Sequence, residues 1–295
     1  MPPRCSNRSR PTARCAPCRA PRTWRTCSSS SPAGTSVTEP LIERCGLRYL
    51  HVVGRNFLVW RKLMYASMLG NMADPMIYLV GLGFGLGGFM PAIEGMRYIN
   101  FLAGGMLCYS AMNSATFEAL YSAFSRLKIQ RTWEGIMHAP MTAADVVLGE
   151  WIWAALKATL SGAAMLIAMY LLGLVHGLRP LAVMPVVLLI GLAFSGLGLI
   201  MTALAKSYEF FIFYFTLVIT PMMFLSGVFY PRSALPPVVQ AIGAVLPLTH
   251  GADLARGLTL GTPMAHPLLD VLVLAGYATC GVSVSVLLIR RRLLK

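Results

Sequence analysis

Charged residues are scarce in this sequence. Only 12% of its 295 residues are charged, against about a quarter in ordinary soluble domains. Acidic residues are the rarer kind, with 11 Asp+Glu against 25 Lys+Arg. A single soluble core of this size could not bury the apolar surface that comes with 56% hydrophobic residues. The composition therefore disfavours a soluble enzyme, excludes a disordered chain, and indicates an integral membrane protein.

Recognisable catalytic motifs are missing as well. No GxxxxGK[ST] run occurs in the sequence, so the chain has no phosphate-binding loop with which to hydrolyse ATP. The five histidines are scattered over separate segments, and no nucleophile has a base at a useful spacing. We therefore expect neither an enzyme nor a bound cofactor or metal, and a membrane-embedded transferase is the least favoured class of function.

Basic residues are concentrated in the N-terminal segment of the sequence. The first 36 residues contain seven arginines and no acidic residue, and they lack a long apolar run. We interpret residues 1–36 as a disordered basic extension, which could contact anionic lipid. The composition changes abruptly at Val37. This change supports the hypothesis that translation starts there and that the start of the sequence is mis-assigned.

Long apolar runs occupy most of the rest of the chain. A helix needs about 20 residues to cross the hydrocarbon core of a bilayer. The runs of that length are at about 66–90, 99–119, 147–173, 181–204, 210–229 and 268–289. They predict an all-α integral membrane fold with six transmembrane helices, within a transmembrane domain that covers residues 64–295.

The distribution of Lys and Arg orients these predicted spans. If the N-terminus is cytoplasmic, the outer segments contain only Arg97, Arg179, Arg232 and Arg256. The other basic residues of the body then fall in inner segments or close to them, as the positive-inside rule requires. We therefore predict that both termini are cytoplasmic.

Two shorter elements accompany the predicted spans. Residues 37–63 include apolar residues at partly helical spacing with basic residues between them, which is typical of an amphipathic helix on the inner leaflet. A cytoplasmic extension of the first span is the alternative. Between spans five and six, a helix that begins at Pro237 is too short to cross the membrane. It predicts a re-entrant or interfacial element.

Glycines and ionisable residues mark contacts between spans. The glycine pairs Gly81/Gly85 and Gly83/Gly87 are each four residues apart, which favours close approach of a second helix. Glu118, Glu150 and Lys157 lie near the inner ends of spans, and the last two share a helical face. We expect them to form salt bridges to neighbouring spans, with contact to the substrate as the alternative.

The inner loop between spans two and three carries helix signals. Pro140 interrupts the chain, and Thr142 followed by Asp145 resembles a capping box. The loop is therefore predicted to contain a short helix, a turn and the start of the third span. Such a helix could receive movement from a cytoplasmic partner, although an ordinary solvated loop has a similar composition.

Two runs of residues resemble the signatures of ABC-2 type transporter permeases. The first is Arg131-Thr132-Trp133-Glu134-Gly135-Ile136, followed by Ala139-Pro140-Met141-Thr142 and Gly149. The second is Phe224-Leu225-Ser226-Gly227-Val228-Phe229-Tyr230-Pro231, followed by Pro247, His250, Asp253 and Arg256. The resemblance covers residues of about 40–290 in the expected order.

The resemblance implies a pair of permease subunits in the bacterial inner membrane, powered by two ABC ATP-binding subunits. ATP and Mg²⁺ would be bound by those partners, and the lipid bilayer is the remaining partner; nucleic acid is not expected. Residues of about 126–140 would sit in a groove of the ATP-binding subunit. The residues expected to couple the two subunits are Arg131, Trp133, Glu134 and Pro140.

The resemblance is greatest to family members that export lipo-chitooligosaccharides. A sugar with an acyl tail needs aromatic or polar groups for the sugar and apolar groups for the tail. Phe211, Tyr214 and Phe215 in the fifth span are candidates for the substrate path, with a lipid-facing aromatic belt as the alternative. A capsular polysaccharide or a drug is the alternative cargo.

Overall fold

The computed structural model describes residues 47–89, 95–262, 264 and 266–293. Within these ranges the chain forms helices joined by turns and short loops, so the predicted all-α class is confirmed. The front extension at 1–36 lies outside the described residues, and so does the proposed start at Val37.

The helices follow one another with few long connections. The α-helices are α1 (Tyr49–Arg61), α2 (Met64–Gly85), α3 (Tyr98–Phe117), α4 (Thr132–Met137), α5 (Ala143–Leu171), α6 (Met184–Leu204), α7 (Glu209–Tyr214), α8 (Thr220–Leu225), α9 (Pro237–Val245), α10 (Pro247–Leu260) and α11 (Pro267–Leu293). Wider π-helical turns at Glu118–Ser122 and Ser125–Ile129 extend α3, and another at Phe215–Ile219 joins α7 to α8. Short 3₁₀ turns occur at Arg179–Val183 and Arg232–Ala234.

Three helical segments of the described chain are long and apolar enough to cross a membrane: α5, α11, and α6 with its preceding turn, Arg179–Leu204. The pair α9 and α10 passes the same test only when joined, and it is bent by 86°. Helices α2 and α3 occupy the first two predicted spans with 22 and 20 residues, but both carry polar residues. The count of six spans therefore stays a prediction.

Helix α3 lies at the centre of the packed helices. Nearly all its residues are buried, and it contacts α2, α5, α6 and α10. Helix α6 packs closely against α11 at a pair of glycines. A Cβ atom added at Gly196 would lie 3.1 Å from backbone atoms of Gly281. Small residues at such a crossing allow two helix backbones to approach.

The glycines of α2 only partly follow the prediction. A Cβ atom at Gly83 would lie 2.8 Å from the side chain of Ile99 on α3, so this glycine does allow close packing. At Gly81 and Gly85, no described atom lies within 4 Å of such a Cβ atom. Among the described residues, the prediction of close packing is therefore wrong for Gly81 and Gly85.

Helix α1 forms within the region predicted to be amphipathic. Val52 and Asn56 are buried on one side, whereas Leu58 is 61% exposed on the other. Val52 packs against Gly149 of α5, where an added Cβ atom would lie 2.5 Å from the Cβ atom of Val52. Contact with α5 thus accounts for the buried face of α1, and its location on the inner leaflet stays a prediction.

Candidate functional site

The short helix α4 lies between two local signals in the chain. Arg131 precedes it with a φ of 48°, a left-handed conformation that is uncommon for a residue other than glycine. After α4, Thr142 starts α5 with the predicted capping box. The Thr142 hydroxyl accepts a 3.2 Å bond from the Asp145 amide, and the Asp145 carboxylate accepts a 2.9 Å bond from the Thr142 amide.

The four predicted coupling residues divide into two sets. Arg131, Glu134 and Pro140 are exposed, so they are available to a partner. Trp133 is fully buried and donates a 3.2 Å hydrogen bond from Nε1 to Oε1 of Glu150 on α5. Trp133 is thus placed to anchor α4 to the helices while its neighbours form the accessible face.

Glu118 is the centre of a buried polar network at the C-terminal end of α3. It is 4% exposed and accepts 2.8 Å bonds from both Arg126 Nη2 and Lys157 Nζ. Trp153 Nε1 and the Ser122 hydroxyl each donate a further bond of 2.9 Å. Several charge-assisted bonds of this kind compensate the desolvation of a buried carboxylate. The expected salt bridge from Lys157 to a neighbouring helix is confirmed.

Arg126 joins Glu118 to a second buried carboxylate. Its Nη2 atom donates a 2.6 Å bond to Glu150, which also accepts the bond from Trp133. Burial alone lowers the pKa of Arg126, but the Glu150 and Glu118 carboxylates outweigh it and raise the pKa above its ordinary value. The guanidinium therefore stays charged. Through Glu150 it links α5 and α4 to the π-helical turns that follow α3.

Sequence reasoning identified Glu118, Glu150 and Lys157 but missed Arg126 and Trp153 as their partners. The π-helical turns place Arg126 close to Glu118 although eight residues separate them. Regular helical periodicity does not predict these wider turns. The only sequence signal was the occurrence of acidic residues near the ends of apolar helices, where each needs a partner.

Aromatic side chains form a cluster at the start of α7. The ring centroids of Phe211 and Tyr121 are 5.3 Å apart, and those of Phe215 and Phe117 are 4.7 Å apart. Tyr214 is also buried. All three predicted path residues therefore lie at least partly inside the packed helices. Phe210 and Phe213 are exposed and fit the alternative of a lipid-facing belt.

Arg256 on α10 organises the second signature. Its Nη2 atom donates bonds of 2.7 Å and 3.1 Å to the carbonyls of Gly227 and Val228. Its guanidinium lies 3.8 Å from the ring centroid of Phe101 on α3, a cation–π contact. Gly227 has a φ of 75°, which glycine adopts without strain. Arg256 thus connects α10 to α3 and to the turn after α8.

His250 and Asp253 do not pair with each other. His250 Nδ1 lies 2.7 Å from Asp270 Oδ1 on α11, and its Nε2 lies 2.9 Å from the Ala244 carbonyl. Asp253 accepts a 2.6 Å bond from Arg232 Nη2. His250 therefore connects α10 to the end of α9 through Ala244 and to α11 through Asp270.

The remaining residues of the second signature lie next to Arg256, His250 and Asp253. Pro247 is buried at the first turn of α10, and Tyr230 and Pro231 are half-buried before α9. A cavity of about 540 Å³ lies beside them and includes His250 and Asp270 in its lining. Within the described ranges, no group of three or more His, Cys, Asp or Glu side chains could hold a metal ion.

Comparison with known proteins identifies the class that this fold and these two signatures define. Residues 48–260 match the ABC-2 type transporter family. The match covers more than half of the chain, so the chain belongs to this family of membrane transport permeases. It includes the short helix α4 and the cluster around Arg256.

Individual relatives match the chain over stretches of different length. The chain is 50% identical to nodulation protein J of Rhizobium leguminosarum bv. viciae over 250 residues, which are 85% of this chain and 96% of the relative. It is 47% identical to nodulation protein J of Rhizobium meliloti (strain 1021) over 84% of this chain and 95% of the relative. The inner membrane transport permease YadH of Escherichia coli (strain K12) is 24% identical over 65% of this chain and 77% of its own length.

Proposed function

We propose that this chain is the permease subunit of an ATP-driven ABC exporter that moves a lipo-chitooligosaccharide, a nodulation factor, across the bacterial inner membrane. The similarity to nodulation protein J carries this proposal, because it extends over 96% of one relative at 50% identity. A second nodulation protein J is 47% identical over 95% of its length, which favours the nodulation cargo over a capsular polysaccharide or a drug.

In the proposed topology, the chain spans the membrane six times with both termini in the cytoplasm. The spans are α2, α3, α5, α6, the combined segment α7–α8, and α11. The bent pair α9 and α10 is the re-entrant element on the outer side. The scarcity of Lys and Arg in the outer segments supports this orientation, and the length of α5, α6 and α11 supports three of the spans directly.

The power source in this proposal is a separate ATP-binding subunit, similar to nodulation protein I, which binds ATP and Mg²⁺. Two copies of the permease work with two copies of that subunit. The exposed residues Arg131, Glu134 and Pro140 contact it, while Trp133 transmits the movement of α4 to Glu150 on α5. Because Arg126 also binds Glu150 and Glu118, the same movement reaches α3.

The cargo has two chemically different parts, and the proposed path provides for both. Aromatic rings such as those of Phe211 and Phe215 can stack on the faces of sugar rings, and the apolar helices can accommodate the acyl chain. Tyr214 lies on the same segment. Rearrangement of the aromatic cluster during transport would bring these buried and half-buried rings to the cargo.

Deletion of the gene tests the proposed cargo. The culture medium of the deletion strain should lose lipo-chitooligosaccharides while the cells retain them, and the intact gene supplied in trans should restore secretion. Capsular polysaccharide in the same medium is the control, and its amount should not change. Unchanged secretion of lipo-chitooligosaccharides by the deletion strain would remove the proposed cargo, and a selective loss of capsule would favour the alternative.

A further inference from the structure

A cleft of about 360 Å³ separates α1 from the π-helical turns below α3. Most of the residues that line it have polar side chains, and neither signature of the family includes the α1 residues that form it. The polar lining residues are Arg55, Asn56, Ser122, Ser125, Arg126 and Gln130.

Several buried polar atoms around this cleft have no partner among the described residues. Asn56 is 2% exposed, yet neither its Nδ2 nor its Oδ1 atom has a hydrogen-bond partner in the described structure. Arg55 Nη1 and Arg126 Nε are also buried and have no hydrogen-bond partner among the described residues. Buried polar groups normally have partners, so these atoms are candidates to bind a ligand. Most of them are donors, which favours a ligand rich in acceptors.

The charges near the cleft leave a positive surplus. Arg126 and Lys157 pair with the carboxylates of Glu118 and Glu150. Arg55 has no ion pair with a described carboxylate, although Glu150 is near enough to influence its pKa. Three cationic side chains therefore face two carboxylates. This surplus favours an anionic ligand over a neutral one, since a neutral ligand would not compensate it.

We propose that the cleft between α1 and the turns below α3 binds a phosphate group through Arg55, Asn56 and Arg126. Guanidinium groups match phosphate oxygens in geometry and charge, and the Asn56 amide adds a neutral donor. The phosphate belongs either to the headgroup of an anionic phospholipid or to free inorganic phosphate. An adjoining apolar edge suits the phospholipid, because Val59 at the cleft is 58% exposed.

Native mass spectrometry of the full chain in detergent tests this site. The purified protein is incubated with phosphatidylglycerol, or with diacylglycerol as a control that has similar acyl tails and no phosphate. We expect retained phosphatidylglycerol and at least tenfold weaker retention of diacylglycerol. The Arg55→Gln variant should weaken phosphatidylglycerol binding about tenfold, and Arg55→Lys should restore part of it. Arg61→Gln, which changes an exposed residue of the same helix, should bind like the unchanged protein.

A second measurement identifies the source of the phosphate. Inorganic phosphate is added to lipid-free protein, and the temperature of unfolding is recorded with chloride at equal ionic strength as the control. If phosphate raises this temperature in the unchanged protein but not in Arg55→Gln, the site takes free phosphate as well. Asn56→Leu should also lose the binding, and its own unfolding temperature reports whether it folds. Equal phosphatidylglycerol binding by Arg55→Gln and Arg61→Gln, with no effect of inorganic phosphate, would overturn the proposal.

Discussion

Trp133 Nε1 donates a 3.2 Å hydrogen bond to Oε1 of Glu150, and this bond fixes the short helix α4 to the long helix α5. Both side chains are almost completely buried. Because Glu150 also binds Arg126 at 2.6 Å, a displacement of α4 acts on the network that contains Glu118. The accessible face of α4 and its anchor therefore belong to one connected structure.

Trp133→Phe should uncouple the permease from its partner more than it destabilises the fold. The change keeps an aromatic ring but removes the donor to Glu150, at a cost of about 1–3 kcal/mol in the free energy of unfolding. We expect export per folded molecule to fall at least fivefold, measured together with thermal unfolding. Trp151→Phe is the matched control, because it removes a 2.8 Å bond to the Leu192 carbonyl between α5 and α6. Equal export by the two variants would contradict the proposed role of Trp133.

Glu118→Gln should strongly destabilise the chain. The neutral amide leaves Arg126 and Lys157 near a site that no longer carries the negative charge they both bind. Breaking a buried ion pair in this way costs about 3–5 kcal/mol, which is measurable by chemical unfolding in detergent. Glu209→Gln changes an exposed carboxylate at the start of α7 and should stay within about 0.5 kcal/mol of the unchanged protein. A similar small effect for Glu118→Gln would show that the network contributes little.

Gly149→Ala should disturb the contact between α1 and α5. The added Cβ atom would lie 2.5 Å from the Cβ atom of Val52 and 3.0 Å from the Tyr49 carbonyl oxygen, so α1 has to shift. Overpacking of this kind costs about 1–3 kcal/mol. Gly54→Ala is the control on α1, since no described atom lies within 4 Å of its added Cβ atom, and it should leave the protein equally or more stable. Hydrogen exchange in α1 would detect the shift, and unchanged protection in Gly149→Ala would argue against this contact.

Arg256→Lys should weaken the cluster around α10 although the charge is kept. Lysine cannot reproduce the guanidinium bonds to the Gly227 and Val228 carbonyls or the planar contact with Phe101. We expect the free energy of unfolding to fall by about 2 kcal/mol. Arg97→Lys alters an exposed arginine and should have almost no effect. The prediction fails if both variants unfold at the same denaturant concentration.

The sequence predicted those features that depend on local patterns. Long apolar runs located α5, α6 and α11, since such runs favour continuous helices regardless of what packs around them. The capping box at Thr142 and Asp145 was predictable because both of its partners lie within one helical turn. Helix α1 was predictable from the spacing of its apolar residues, but that spacing does not show that buried Asn56 has no hydrogen-bond partner among the described residues.

Local sequence patterns could not predict the features that depend on tertiary contacts. Asp270 follows His250 by 20 residues, and only the packing of α11 against α10 brings them together. The inward direction of Trp133 depends on Glu150, which lies 17 residues further along the chain. The bend of 86° between α9 and α10 separates two helices where sequence reasoning placed only one. The role of each signature residue therefore became visible only with the fold.

Reconstitution into vesicles tests the central claim most directly, namely that this permease has no power source of its own. The purified chain is placed in inside-out vesicles alone or with its ATP-binding subunit, and both ATP hydrolysis and lipo-chitooligosaccharide uptake are measured. We expect the chain alone to do neither, and the complex to accumulate the cargo only when ATP is present. ATP hydrolysis by the chain alone, or no ATP-dependent uptake by the assembled complex, would contradict the account.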